Sequence, residues 1–133
     1  MLVKIRSEIG NEKHLLKGES ARLVELLGEH GVDENTIFDI RISFEEVLRN
    51  AMLHGNKESK HKKVKIETEI TDECVTISVE DEGEGFDIRK IPDPTCEENL
   101  LKEGGRGVFL VQNLMDEVEY LNGGRKVVMK KAF

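Results

Sequence analysis

The spacing of apolar residues changes period several times along this chain, and each change marks an element. Residues 2–9, LVKIRSEI, form a short β-prone run with imperfect alternation. Leu16, Leu23 and Leu27 then share one helical face, and Asn11 can cap a helix that runs to about Glu29 and ends near Gly31. Gly18 sits inside that helix and costs about 1 kcal/mol relative to Ala. Asp33 is the next cap, followed by Ile37, Ile40, Phe44, Val47, Leu48 and Ala51 at helical spacing up to about Gly55. The period then becomes two. Val64, Ile66, Thr68 and Ile70 alternate with charged residues, and after Thr71-Asp72-Glu73 the same holds for Val75, Ile77 and Val79. This predicts a β-hairpin with one apolar face. Residues 88–104 keep no period and contain Pro92 and Pro94, which predicts a long, lid-like loop. Gly104-Gly105-Arg106-Gly107 opens a third helix carrying Val108, Val111 and Met115 on one face. Two last strands, 118–121 and 126–130, flank the hairpin turn Asn122-Gly123-Gly124.

The order is β-α-α-β-β-loop-α-β-β, with helices and one-faced strands segregated. It predicts an α+β fold: a two-layer sandwich with helices on one face of a mostly antiparallel sheet. The 133 residues suit a single domain over 1–133, without internal repeat or linker. The net charge of −7 argues against direct nucleic-acid binding, which shows as a basic excess. It leaves room for a single metal-chelated nucleotide, which a few local groups can hold. No apolar run approaches the ~20 residues of a membrane helix, and the N-terminus lacks a signal-peptide layout. Cys74 and Cys96 have no metal-like spacing and read as free thiols, so the expected location is cytoplasmic.

Three segments carry candidate chemistry. In the second helix Glu46, Asn50 and His54 recur every four residues on one drifting face. Glutamate can accept a proton, and an Asn oxygen suits Mg²⁺, which takes few protein ligands beside waters and phosphates. On spacing alone a solvated polar face explains this stripe better, because such stripes are common. The second segment is DEGEGFD, residues 81–87. A strand ends at Asp81, and Gly83 and Gly85 let a flat ligand approach the backbone. The ionised Asp could accept a hydrogen bond from an exocyclic amine. A glycine-rich turn among surface acids fits the same letters. Calcium fits poorly, since EF-hand spacing is absent. The third segment is Gly104-Gly105-Arg106-Gly107, where free helix-start amides can hold phosphate. It is neither a Walker A loop nor a dinucleotide fingerprint. Together the three describe a Mg-nucleotide pocket between the helices and the sheet.

With these residues in order, the chain resembles the GHKL (histidine kinase-like) ATPase superfamily, and within it the small anti-sigma-factor serine/threonine-protein kinases. EEVLRNAMLHG resembles the N box, VEDEGEGFD the first glycine box and EGGRGVFLVQNLMDEVEY the second. The resemblance covers roughly residue 37 to the end. It implies a Bergerat-type ATP-binding fold with a lid at about 88–104. It implies Glu46 as general base, preferred over Glu45, which lies about 100° away around the helix. It implies Asn50 as the Mg²⁺ ligand, Asp81 on the adenine amino group, Gly83 and Gly85 shaping the adenine shelf, and Gly105 and Gly107 offering backbone to phosphates. Arg106 departs from the small or apolar residue of that box and would meet a phosphate or solvent. His54 falls on the family's His-Gly pair, with a structural or lid-supporting role. The chain carries no helical hairpin before Asp33 to present a phosphorylated histidine, which favours the anti-sigma group over sensor kinases.

The expected function is therefore an ATP-dependent serine/threonine-protein kinase and anti-sigma factor of a partner-switching pathway. It would use ATP and Mg²⁺, phosphorylate a small anti-anti-sigma antagonist, hold a sigma factor and form a homodimer. The alternatives are a non-catalytic ATP-binding switch that sequesters a protein, and an ATP hydrolase within a larger complex.

Overall fold

A computed structural model describes residues 2–83 and 103–133, with side chains from 107 onward in the second stretch. Strand β1 (Val3–Ile9) leads to helices α1 (Lys13–Glu29) and α2 (Glu34–Asn50), and α2 runs on into a π-helical turn (Ala51–Gly55). Strands β2 (Val64–Ile70) and β3 (Cys74–Glu80) follow, then helix α3 (Glu103–Leu114), and β4 (Glu117–Leu121) and β5 (Lys126–Ala132) close the chain. The five strands form one antiparallel sheet in the order β1-β2-β3-β5-β4. The α+β expectation holds, and the helices lie on one face of the sheet.

Period-two patterning explains the sheet's two faces. Register pairs Ile66 with Val79, Ile70 with Val75, Ile77 with Met129 and Val79 with Val127. All are buried, beneath Leu23 and Leu27 of α1, Ile40, Phe44 and Leu48 of α2 and Val111 of α3. Burying each such large side chain stabilises the fold by about 1.5–3 kcal/mol. The opposite face carries charge of alternating sign across four strands: Glu8, Lys65, Glu80 and Lys126 stand opposite one another in turn. Opposite charges on facing strand positions are favourable, and they keep this face solvated. Helix α2 packs between α1 and α3, so its polar residues reach the elements on both sides.

Two expectations need correction. Asn11 does not cap α1; the cap position is Glu12, without a side-chain hydrogen bond. Asn11 Nδ2 instead donates to Ser59 O at 2.6 Å and Lys62 O at 3.0 Å, two partners distant in sequence that outcompete a local cap. The second helix is α-helical only to Asn50. Beyond it the Asn56 N–H donates to Ala51 O at 2.8 Å, the wider π spacing. Asp33 does cap α2, its Oδ1 accepting from Thr36 N at 2.9 Å. Helix α3 already begins at Glu103, so the GGRG segment lies within its opening turns. Residues 84–102, which include most of the lid expected at 88–104 together with Gly85 and Cys96, lie outside the described residues.

Candidate functional site

The polar face of α2 meets both glycine segments. Glu46 is half-buried, and its Oε2 accepts from Arg49 Nη1 at 3.1 Å. Its other oxygen lies directly against Gly107: a Cβ on that glycine would overlap Glu46 Oε1. The second glycine segment thus approaches α2 at the residue expected to act as base, and a side chain there would require the Glu46 carboxylate to swing aside. Glu45 points elsewhere, with Oε2 accepting from Arg41 at 3.0 Å.

One helical turn and the π-turn further on, α2 meets the first glycine segment. Asp81 is buried where β3 ends. Its backbone N–H donates to Arg125 O at 3.0 Å, and its Oδ1 accepts from Gly83 N at 2.7 Å. Gly55 presses on this carboxyl group, since an added Cβ would overlap Asp81 Cγ and Oδ2. Gly83 in turn lies on Gly55, where a Cβ would overlap the Gly55 carbonyl oxygen. Burial pushes the Asp81 carboxyl above its usual 3.8, opposed by the Gly83 hydrogen bond and by Arg125.

Asn50, the last residue of α2, lies along the chain between these two junctions. It is half-buried, and its carboxamide has no hydrogen-bond partner among the described residues. Those residues contain no group of three His, Cys, Asp or Glu side chains able to hold a metal. A single amide oxygen suits Mg²⁺ carried in by phosphates and waters, and does not suit an all-protein cage. The backbones of Gly105 and Arg106 lie in the first turn of α3, where amides lack intrahelical partners. His54 is exposed.

Three residues of this region were not singled out by sequence reasoning. Gly55 reads as a helix terminator, but it is the contact between the π-turn and Asp81. Asn56 reads as a loop residue, but it is fully buried, and its Oδ1 accepts from Glu82 N at 2.8 Å. Arg49, on the surface, pairs with Glu46. A Gly-Asn pair directly after a helix was the available signal for the first two.

A one-sheet α+β layer with glycine segments converging on one polar helix defines a histidine kinase-like ATPase domain. The pattern of the family of that description matches residues 13–131, and the chain belongs to this family. Among particular proteins, it is similar to serine-protein kinase RsbW. The Bacillus subtilis (strain 168) protein is 35% identical over 108 residues, 76% of this chain and 68% of that one. RsbW of Oceanobacillus iheyensis is 32% identical over 108 residues, with the same coverage. RsbW of Staphylococcus aureus (strain Newman) is 35% identical over 109 residues, 76% of this chain and 69% of that one. A crystal structure of the RsbU and RsbW domains of a Mycobacterium tuberculosis protein shares the fold, with a TM-score of 0.64 at 21% identity. It covers 98% of this chain, which spans 32% of that longer one. Among the described residues no helix is long and apolar enough to cross a membrane.

Proposed function

We infer that this chain is an ATP-dependent protein-serine/threonine kinase and anti-sigma factor of a bacterial partner-switching pathway. The observation that carries the reading is the convergence of both glycine segments on one helix, through Glu46–Gly107 and Gly55–Asp81–Gly83. The RsbW relatives are named serine-protein kinases, which supports a serine or threonine hydroxyl as acceptor; the protein that carries it is a small anti-anti-sigma antagonist. The partner held once the antagonist has been phosphorylated is a sigma factor. The chain works in the cytoplasm, as a homodimer, without contacting nucleic acid directly.

Asp81 accepts a hydrogen bond from the adenine amino group, and Gly83 and Gly85 let the ring lie against the backbone. Gly105, Arg106 and Gly107 present helix-start backbone to the phosphates. Asn50 offers its oxygen to Mg²⁺, which when bound supplies neutralisation of phosphate charge. Glu46 orients the acceptor hydroxyl and takes its proton. Catalysis of this kind rests on positioning and charge stabilisation, with little covalent work for the protein. The phosphorylated antagonist gains negative charge and acceptor oxygens, which break its contact with the kinase and free it to hold the sigma factor.

The test is a calorimetric titration of Mg-ATP into wild type and Asp81→Asn, followed by phosphate transfer to a candidate antagonist by wild type and Glu46→Ala. Binding lost in the first variant, and transfer lost with binding kept in the second, support the reading. Full transfer by Glu46→Ala removes Glu46 from the mechanism. The Arg49–Glu46 ion pair favours a second reading, a non-catalytic ATP-binding switch in which that carboxylate stays engaged. ATP binding without any acceptor phosphorylation is its signature.

A further inference from the structure

The geometry points to Asn56 as a positioning residue for the nucleotide-base shelf, acting through the backbone of Glu82 and braced by Asn11. The inference rests on Asp81 reading the base amine, as proposed above, and adds what holds Asp81 in place.

Asn56 is fully buried, and its side chain spends its bonds on three separate segments. Its Nδ2 donates to Asn11 Oδ1, before α1, and to Lys63 O, before β2, each at 3.0 Å. Its Oδ1 accepts from Glu82 N at 2.8 Å. Asn11 continues the brace to Ser59 O and Lys62 O, and Glu82 Oε1 closes it by accepting from Lys63 N at 2.7 Å. Glu82 stands between the acid and the glycine of the shelf. Three successive amides are each fixed outside the strand ladder: Asp81 N by Arg125 O, Glu82 N by Asn56 Oδ1 and Gly83 N by Asp81 Oδ1. Only the middle one depends on another element's side chain. Because Asn56 directly follows Gly55, the same residue also sets how closely Gly55 presses on Asp81. The chain beyond it is strained, with Lys57 at φ 52° and Glu58 at φ 58°. Such left-handed backbone at non-glycine residues persists only where surrounding contacts over-determine it, and the Asn56 brace is among those contacts.

A residue that merely stabilises the fold would weaken all nucleotides alike when removed. One that aims Asp81 would weaken only nucleotides whose base carries the amine. The experiment is calorimetric titration of ATP and of inosine triphosphate, which lacks the 6-amino group, into wild type, Asn56→Ala and Asn11→Ala. Wild type should prefer ATP by at least about tenfold, the effect of one hydrogen bond to a carboxylate. In Asn56→Ala the ATP affinity should fall at least threefold while inosine triphosphate affinity stays within twofold of wild type. Asn11 is only half-buried, so Asn11→Ala keeps the test available if Asn56→Ala does not fold; it should shift the ratio in the same direction by a smaller factor. A preserved ATP preference in the variants, or an equal loss of both nucleotides, overturns the positioning role and leaves Asp81 as the base reader. No ATP preference in wild type overturns the base reading itself, and the inference with it.

Discussion

Gly83→Ala is the most direct challenge to the arrangement around Asp81. A Cβ at residue 83 would overlap the Gly55 carbonyl oxygen and stand 2.6 Å from its carbonyl carbon. Carbon atoms rest at about 3.5–4.0 Å, so one backbone segment must move by roughly 0.9 Å. Both obstacles are backbone, and no flexible side chain can swing aside. The Gly55 side is held by the π-turn, and the Gly83 side by the 2.7 Å bond to Asp81 Oδ1. Overpacking of this kind costs about 1–3 kcal/mol, which a thermal melt of the unliganded protein would show. A 0.9 Å displacement also takes the Asp81 carboxylate out of hydrogen-bond range of a base amine. A hydrogen bond to a charged group contributes about 1.5–3 kcal/mol, and each 1.4 kcal/mol is tenfold in affinity. ATP affinity by calorimetry should therefore fall by about 10–150-fold. A Gly83→Ala protein with wild-type melting temperature and an ATP Kd within twofold would refute the claim that Gly83, Gly55 and Asp81 act as one packed unit.

Three further outcomes follow from the same structure. The Asp81 carboxyl is raised above 3.8 by burial, so its contribution to the stability of the unliganded fold is fully present below that value and is lost as pH rises through the raised one. ATP needs the ionised form, so its affinity should fall as pH drops through the same window, and Asp81→Asn should flatten the profile; wild-type affinity constant down to pH about 4 would contradict this. Gly18 lies in α1 with open space around it, and Gly18→Ala should stabilise by about 0.8–1 kcal/mol in a denaturant melt; a destabilised variant would mean the position contacts something. Among the described residues the buried Ser43 Oγ has no hydrogen-bond partner, so Ser43→Ala should raise the melting temperature, by the equivalent of about 1 kcal/mol; a clear fall would show that the hydroxyl is bonded.

The sheet was the most legible part of the chain. Strict alternation in 64–70 and 75–79 left one choice of buried face, and the register follows from it. Asp33 was legible as a cap because its partner Thr36 lies three residues away. Asn11 was misread because its partners lie 48 and 51 residues away, and nothing local in the sequence announces them. Glu46 and Asn50 were singled out by helical spacing plus resemblance, whereas the contact of Glu46 with Gly107 depends on how α3 docks and has no signature in either segment alone. Gly55 and Asn56 were passed over because a Gly-Asn pair after a helix is the ordinary way for a helix to stop.

That stop is where the helical reading of the stripe breaks down. Continued as an α-helix, the turn would send the Asn56 N–H to Met52 O. Instead it reaches Ala51 O at 2.8 Å, and Met52 O accepts from Glu58 N at 2.9 Å, so the wider turn leaves neither carbonyl unpaired. The extra residue in the turn changes which side chains face the site. His54, third in the four-residue stripe, ends exposed, while Gly55 meets Asp81 and Asn56 enters the interior. Single π-turns inside helices concentrate at functional sites, and here the reason can be stated in contacts. The π-turn supplies two things: a glycine against the buried acid, and an amide that fixes the backbone on the acid's far side. On the proposed function, α2 contributes Glu46 and Asn50 to the site, and the end of the turn adds the Asn56 bond to Glu82 N.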